Sequence, residues 1–492
     1  MPGAILAIDQ GTTGTHALLF DERGRVVGRG YRPFRQYYPK PGWVEHDPDE
    51  IWKSCLNVIR QALRGRKVAL AAIGITNQRE TTVLWDRRTG KPVHRAIVWQ
   101  DRRTAPECAR LRKEGNLAAV RRRTGLLLDP YFSGTKLAWL LREVPGAKAA
   151  ARSGRLAFGT IDTWLIWKLT GGRSHVTDPT NASRTLMLNL ATGRWDDAML
   201  RLLEIPRAVL PEVRPSAGEF GRTVAHGPLP AGIPVAGVAG DQQAALFGQG
   251  CVRPGEMKVT YGTGGFLLLQ TGSRLVRSRS GLLTTIACGP AGEASFALEG
   301  SVFIAGAVIQ WLRDELKLLS SASESEAVAR SVPDTAGVHI VPAFTGLGAP
   351  WWDASARGTI TGLTRGAGRA HLVRAALEAI AFQVGDVVAA MRRDLERPIR
   401  SLRVDGGACQ NDLLMQFQSD LVDAALVRPK LIETTAAGAA GLAGLGARLW
   451  SPSDLARLRA TDRVFRPRMS PARRRSLIAG WHHAVAQARL TV

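Results

Sequence analysis

Two stretches of the chain join a short apolar strand, a glycine–threonine turn and a second strand: AILAIDQGTTGTHALLF at residues 4–20 and EMKVTYGTGGFLLLQT at residues 256–271. Glycine lets backbone N–H groups approach a ligand closely and threonine adds hydroxyl donors, so such a turn can wrap a phosphate. Asp9 closes the first of these strands. A lone carboxylate there can hold Mg2+ through water, which that ion gives up reluctantly. The same residues also suit plain hairpin turns, and the turns alone leave both uses open.

Two further places carry chemistry. In ITNQRETTVLW, Arg79 and Glu80 follow an apolar run. They suit a surface ion pair of little worth, or a clamp on a small polyol in which guanidinium donates and carboxylate accepts. In VAGVAGDQQAALFGQ, Asp241 stands between an apolar strand and a helical run. A carboxylate so placed can take the proton of a hydroxyl that attacks phosphorus, and it can equally cap the helix. The chain has no GxxxxGK[ST], no GxGxxG between a strand and a helix, and no HExxH, and its nine histidines are scattered. A P-loop, a Rossmann dinucleotide site and a histidine metal centre are therefore unsupported.

Such residues need a scaffold. The opening reads as strands Ala4–Asp9, Ala17–Asp21 and Val26–Phe34. A helix capped by Asp47 follows, with Ile51, Cys55, Val58, Ile59 and Ala62 on one face, and then a buried strand, Ala69–Thr76. The second half offers a long helix from His371 to Leu395, a strand Leu402–Asp405, a turn at Gly406–Gly407 and a helix Asp412–Val422 capped by Asn411. Beyond Pro467 the tail is basic and then helical. Strands mixed with amphipathic helices predict an α/β protein. The two strand–turn–strand units lie about 250 residues apart and are unlike outside the turn, which predicts two facing domains divided between Gly248 and Gly255.

With 492 residues, 45% hydrophobic and 22% charged, the chain is long enough to bury a large core without staples. That excludes a wholly disordered chain, a collagen-like chain and a disulfide mini-protein. Cys55, Cys108, Cys251, Cys288 and Cys409 show no zinc or redox spacing. The N-terminus reaches Asp9 before a signal-peptide core could form, and Ala436–Ala447 is too short to cross a bilayer. A soluble, reduced, cytoplasmic protein is expected. The formal charge of +24 comes from 66 basic residues, 55 of them arginine, against 42 acids. It fits a binder of nucleic acid or membrane surface, and it fits an arginine bias spread over a solvated surface.

The strings AIDQGTTGTHALLF, YPKPGWVEHDP, GITNQRETTVLW, DPYFSGTKLAWLL, DPTNASRT, GVAGDQQAALFGQ, YGTGGF, ALEGSVFIAGAVIQWLRDE and LRVDGGACQNDLLMQFQSD occur in this order between residues 4 and about 450. Together they resemble the FGGY carbohydrate kinase family, and YPKPGWVEHDP and NQRETT resemble its glycerol-using branch more than its pentulose kinases. The resemblance implies an α/β fold of two actin-like (ribonuclease H-like) ATPase domains, residues 1–250 for polyol and phosphate and 251–492 for nucleotide, with the active site in the cleft between them. It implies ATP-dependent phosphorylation of glycerol to sn-glycerol 3-phosphate, the first step of glycerol catabolism, with ATP and Mg2+ as cofactors.

By the same resemblance, glycerol would be held by Arg79, Glu80, Tyr131, Asp241 and Gln242, with Trp99 and Phe266 against its carbons and Asp241 as general base. Thr12, Thr13 and Gly14 would hold the γ-phosphate, and Asp9 would stand near Mg2+. Thr263 would reach the phosphates, while Gly306, Gln310, Gly407 and Asn411 would line the nucleotide pocket. A homodimer or homotetramer without nucleic-acid or membrane partners is implied. His16 stands where the family commonly has arginine, and HGPLPAGIP at 226–234 lacks the segment with which regulated members bind fructose bisphosphate. With these motifs in place the arginine surplus reads mainly as compositional bias.

Overall fold

The computed structural model describes residues 3–66, 68–399 and 401–490. The first sheet contains β1 (Gly3–Gln10), β2 (Gly14–Phe20), β3 (Val26–Pro33), β4 (Ala69–Asn77), β5 (Ala217–Arg222) and β6 (Pro234–Gly240) in the order β5-β6-β4-β1-β2-β3. Strands β6, β4 and β1 are mutually parallel neighbours, and β2, β3 and β5 run antiparallel to theirs. The second sheet contains β7 (Met257–Tyr261), β8 (Gly265–Gly272), β9 (Leu283–Cys288), β10 (Ala294–Val302), β11 (Ser401–Asp405), β12 (Ala425–Pro429) and β13 (Thr461–Phe465) in the order β9-β10-β8-β7-β11-β12-β13. It repeats the plan: β7 and β8 form a hairpin, β10 continues it antiparallel, and β11 and β12 add parallel strands on the other side of β7. The two glycine–threonine turns occupy equivalent corners of two equivalent sheets. Crevices outside the carboxyl ends of parallel strands are where open α/β sheets bind ligands.

Helix α1 (Pro48–Leu63) forms where its sequence asks for it. Asp47 accepts from the amides of Asp49 and Glu50 at 2.8 and 3.3 Å, and Ile51, Cys55, Val58, Ile59 and Ala62 are buried. Helices α2 (Asp241–Gly248), α3 (Gly306–Asp314), α4 (Arg369–Leu395), α5 (Asp412–Val422), α6 (Thr434–Gly446) and α7 (Pro471–Arg489) complete the frame. The 27-residue α4 runs through the larger core of the second half, with Val373, Ile380, Val384, Val387 and Met391 buried.

The alanine–glycine run of α6 is a packing seam. Though it comes late in the chain, α6 lies on β4 and β6 of the first sheet and against α2. A Cβ on Gly74 of β4 would come 2.3 Å from the Ala439 carbonyl, and one on Gly438 would come 1.9 Å from that of Ala244. Only glycine allows backbones this close, so the helix is built of small residues.

Candidate active site

Asp9, Arg79 and Asp241 come from the carboxyl ends of the three adjacent parallel strands β1, β4 and β6. The sheet alone thus gathers residues that are 162 positions apart between Arg79 and Asp241. Asp241 is the first residue of α2, with Gly240 in the capping position, and its Oδ1 accepts from the Gln242 amide at 2.7 Å. The same oxygen lies 3.2 Å from Nε of Arg79, and 29% of the Asp241 side chain stays exposed. Burial raises its pKa, while Arg79 and Lys258 pull the other way.

Arg79 and Glu80 are no surface pair: they are 3% and 1% exposed. Two residues outside the sequence-derived set explain how they stay charged. Arg79 donates from Nη1 and Nη2 to the two oxygens of Glu299 on β10, at 2.6 and 3.0 Å. Arg184 donates to Glu80 at 2.7 Å and to Glu299 at 3.0 Å. Two guanidiniums and two carboxylates thus form a buried network whose charges balance, with Asp241 touching its Arg79 edge. Burial alone would raise the Glu299 pKa, but Arg184 and Arg79 hold it down at about 2. Glu299 is the only one of the four from the second sheet, so the network bolts the two sheets together across the site.

Gln243 adds to the bolt. It accepts from Arg79 at 3.2 Å and donates to Thr285 and the Ile286 carbonyl of β9 at 3.2 and 3.1 Å. Glu80 holds φ at 60°. A glutamate in this left-handed region is strained, which functional sites tolerate when the surroundings over-determine it. Here Ser133 and Thr82 both donate to its carbonyl, at 2.9 and 3.1 Å.

Tyr131 joins the same face, its hydroxyl 3.5 Å from Nη2 of Arg79. Trp99 packs edge-on to Tyr131 with 5.6 Å between ring centroids, and its Nε1 donates to the Thr12 hydroxyl at 2.9 Å. That bond ties the aromatic wall to the first turn. Phe266 stands on β8 opposite Thr260, part-buried, and among the described residues makes no ring contact with that pair. Gln242 accepts from Nζ of Lys258, a fully buried lysine on β7 that also donates to Thr260 at 2.7 Å. Burial lowers the Lys258 pKa to about 8, against the pull of Asp405 and Asp241.

The two turns are built alike. Gly11 donates to the Gly14 carbonyl at 2.9 Å, and Gly262 to that of Gly264 at 2.9 Å. Thr12 is part-buried and Thr13 and Thr263 are exposed. The amides of Ala305 and Ala307 donate to the Thr263 carbonyl at 2.8 and 3.1 Å, seating the second turn on the start of α3. On α3, the Gly306 amide donates to the Gly262 carbonyl of the turn at 2.9 Å, and Gln310 is exposed. Gly407 is exposed after β11, and Asn411 caps α5 by accepting from Leu414 at 2.9 Å.

Asp9 makes no side-chain hydrogen bond or ion pair among the described residues. Burial, and then the charge of Asp241, raise its pKa to about 7. A buried carboxylate without a counter-charge, beside the part-exposed Asp241, fits Mg2+, which binds through one or two carboxylates and otherwise through water and phosphate. Among the described residues no cluster of three or more His, Cys, Asp or Glu could cage a metal.

Sequence models for the N-terminal and C-terminal domains of the FGGY family of carbohydrate kinases match residues 4–248 and 257–447. The chain belongs to that family. It is 57% identical to the glycerol kinase of Acidovorax ebreus strain TPSY, over 98% of this chain and 99% of that protein. It is 56% identical to the glycerol kinase of Deinococcus radiodurans, over 99% and 97%. The solved structure of Plasmodium falciparum glycerol kinase with ADP matches with a TM-score of 0.95 at 38% identity, covering 100% of this chain and 99% of that one. The gluconate kinase of Lactobacillus acidophilus, 22% identical with a TM-score of 0.86, shares the fold. The expected α/β architecture of actin-like ATPase domains is thus the one present.

For an FGGY kinase, the structure brings Arg79, Glu80, Tyr131 and Asp241 into one cluster, with Trp99 and Thr12 joined to its edge. Gln242 meets that cluster through its amide on Asp241, while its side chain accepts from Lys258. Glu299, Arg184 and Lys258 were missed by sequence reasoning. The signal for Glu299 was an acid in the middle of the apolar strand ASFALEGSV, and for Lys258 a base in MKVTY. No helix of the described residues is long and apolar enough to cross a membrane.

Proposed function

We propose that this kinase transfers the γ-phosphoryl group of ATP to glycerol, giving sn-glycerol 3-phosphate, the entry step of glycerol catabolism. The full-length likeness to glycerol kinases supports the substrate. One observation carries the chemistry: a part-exposed carboxylate, Asp241, at the mouth of a buried arginine clamp, beside a second carboxylate without a counter-ion.

In this reading Arg79, Glu80 and Tyr131 bind the polyol hydroxyls, Gln242 adds a further contact, and Trp99 and Phe266 cover the carbons. Asp241 takes the proton of the attacking hydroxyl, and its raised pKa makes it a better acceptor than an ordinary aspartate. Thr12, Thr13 and Gly14 hold the γ-phosphate by backbone and hydroxyl donors. Thr263 meets the phosphates from the other sheet, and Gly306, Gln310, Gly407 and Asn411 border the nucleotide. Asp9 would hold Mg2+, which supplies charge neutralisation to the phosphates. Most of the rate comes from positioning, and Glu299 is a positioning residue because it fixes the plane of the Arg79 guanidinium.

The N-terminal domain, residues 1–250, would serve polyol and phosphate, and 251–492 the nucleotide. The family resemblance also supports a cytoplasmic homodimer or homotetramer, which sedimentation of the full chain checks. The decisive measurement is coupled ADP release with glycerol, dihydroxyacetone, erythritol and xylulose. Glycerol is expected to give the highest kcat/KM, and a clear preference for any of the others would overturn the assignment.

A further inference from the structure

A cavity of about 60 Å³ lies away from the catalytic cluster, where the end of α2, the start of α6 and strands β11 to β13 meet. One water needs roughly 10–15 Å³ on this measure, so the space suits a group of several heavy atoms. Two arginines line it, Arg403 of β11 and Arg459, and no acid does.

Neither guanidinium forms an ion pair with a carboxylate among the described residues. Arg459 is tied by Nε and Nη2 to the carbonyls of Gly248 and Phe247 at 3.2 and 3.0 Å. Burial and then the charge of Arg403 lower its pKa, with only Cys251 and Glu256 opposing. The carboxylate of Glu256 already accepts from the amides of Val252 and Arg253, at 2.8 and 2.9 Å. Arg403 makes no side-chain hydrogen bond among the described residues.

Two more features border the same space. Gln249, a lining residue 3% exposed, has a buried amide nitrogen without a hydrogen-bond partner. Helix α6 opens at Thr434, also a lining residue, with no side-chain cap, because the carboxylate of Glu433 is paired with Arg29 instead. Like charges brought together in a part-buried space repel each other and leave donors unsatisfied. A bound oxyanion offsets both costs. The guanidinium fork of Arg403 matches the oxyanion's geometry, a fit that Arg459 does not share because its Nε and Nη2 are taken.

We propose that this cavity is a second anion site, binding a small tetrahedral oxyanion: inorganic phosphate or the phosphoryl group of a small phosphomonoester. Its place suits an effector. Gly248 and Gln249 end the helix that Asp241 begins, and Thr434 donates to Asp405, the residue before the Gly406–Gly407 turn. An anion held here braces the place where the end of α2 meets the start of α6.

The test uses the full chain with its catalytic cleft filled by glycerol and a non-hydrolysable ATP analogue, so that added phosphate has no access there. Inorganic phosphate and phenyl phosphate are titrated separately by calorimetry, with chloride at matched ionic strength as the control. The wild type is expected to bind at least one of the two, and the tighter one identifies the source of the oxyanion. Replacing Arg403 and Arg459 together by alanine is expected to weaken binding by about tenfold or more, while basal kcat for the polyol stays within about twofold. Should that pair fail to fold, Arg403→Gln carries the test, since the Arg403 side chain makes no other hydrogen bond or ion pair among the described residues. No phosphate binding by the wild type, or equal binding by wild type and Arg403→Gln, overturns the site.

Discussion

Asp9 and Glu299 approach the same cleft from opposite sheets, and burial pushes the pKa of both upward. They end far apart, Asp9 at about 7 and Glu299 at about 2. The difference lies in the neighbours: Glu299 sits between two guanidiniums, Asp9 beside another carboxylate. The cleft therefore has a settled half, where four buried charges cancel, and an unsettled half, where Asp9 lacks a counter-charge and Asp241 touches only the Arg79 edge of the network. The settled half fixes geometry, and the unsettled half is where charge moves during phosphoryl transfer.

The largest effect is expected from breaking the unsettled half at its base. Asp241→Asn should lower kcat by about 10²–10⁴-fold, the range that a positioned general base supplies. Glycerol binding measured by calorimetry should persist, because the arginine clamp remains. A variant with near wild-type kcat would remove Asp241 from the proton transfer.

Breaking the settled half should read out differently. Glu299→Ala leaves Arg79 and Arg184 buried without their shared partner, and a denaturant titration should show a loss of about 3–5 kcal/mol. The milder Glu299→Gln should stay folded, yet raise the glycerol KM by about tenfold as Arg79 loses its charged fork. Its kcat should fall much less than in Asp241→Asn. An unchanged KM in a folded Glu299→Gln protein would show that the network staples the sheets without orienting Arg79.

The unsettled half was the more legible one in sequence, for a physical reason. Asp9, Thr12 and Thr13 share one turn, and Asp241 begins a helix directly after a strand, so spacing along the chain reveals them. The settled half is made by long-range pairing: Arg79 meets Glu299 across 220 positions, and Arg184 meets Glu80 across 104. No local pattern links such partners, and Arg79–Glu80 by itself suited a surface pair equally well. The frame behaved likewise. The caps by Asp47 and Asn411 were readable, because a cap needs only its next three residues. That the Ala436–Ala447 run belongs against the first sheet was not, because the glycine contact that demands it is with Gly74.

Removing Asp9 should sharpen the contrast through pH. Its folded pKa of about 7 lies above the ordinary 3.8. The stability it contributes is complete below the ordinary value and is lost as pH rises through about 7. Ligand-free protein should thus lose about 1 kcal/mol on this account between about pH 6 and about pH 8. Asp9→Asn should abolish that slope in thermal unfolding and raise the Mg2+ concentration needed for half-maximal rate. An unaltered slope would place the titration elsewhere.

The smallest effect tests the group between the halves. Lys258 is held at about 8, below the ordinary 10.5, so the folded state releases its proton first. The unfolded chain then binds more protons between those values, and stability should rise with pH there, opposite in sign to Asp9. Catalysis should move the other way, because a neutral amine no longer attracts Asp241 or holds Gln242 with a charged donor. In Lys258→Met the glycerol KM should rise a few-fold, and the fall of kcat/KM above about pH 8 should flatten. If that fall persists unchanged in Lys258→Met, the lysine is only a buried strut of β7 and the two halves of the cleft act without it.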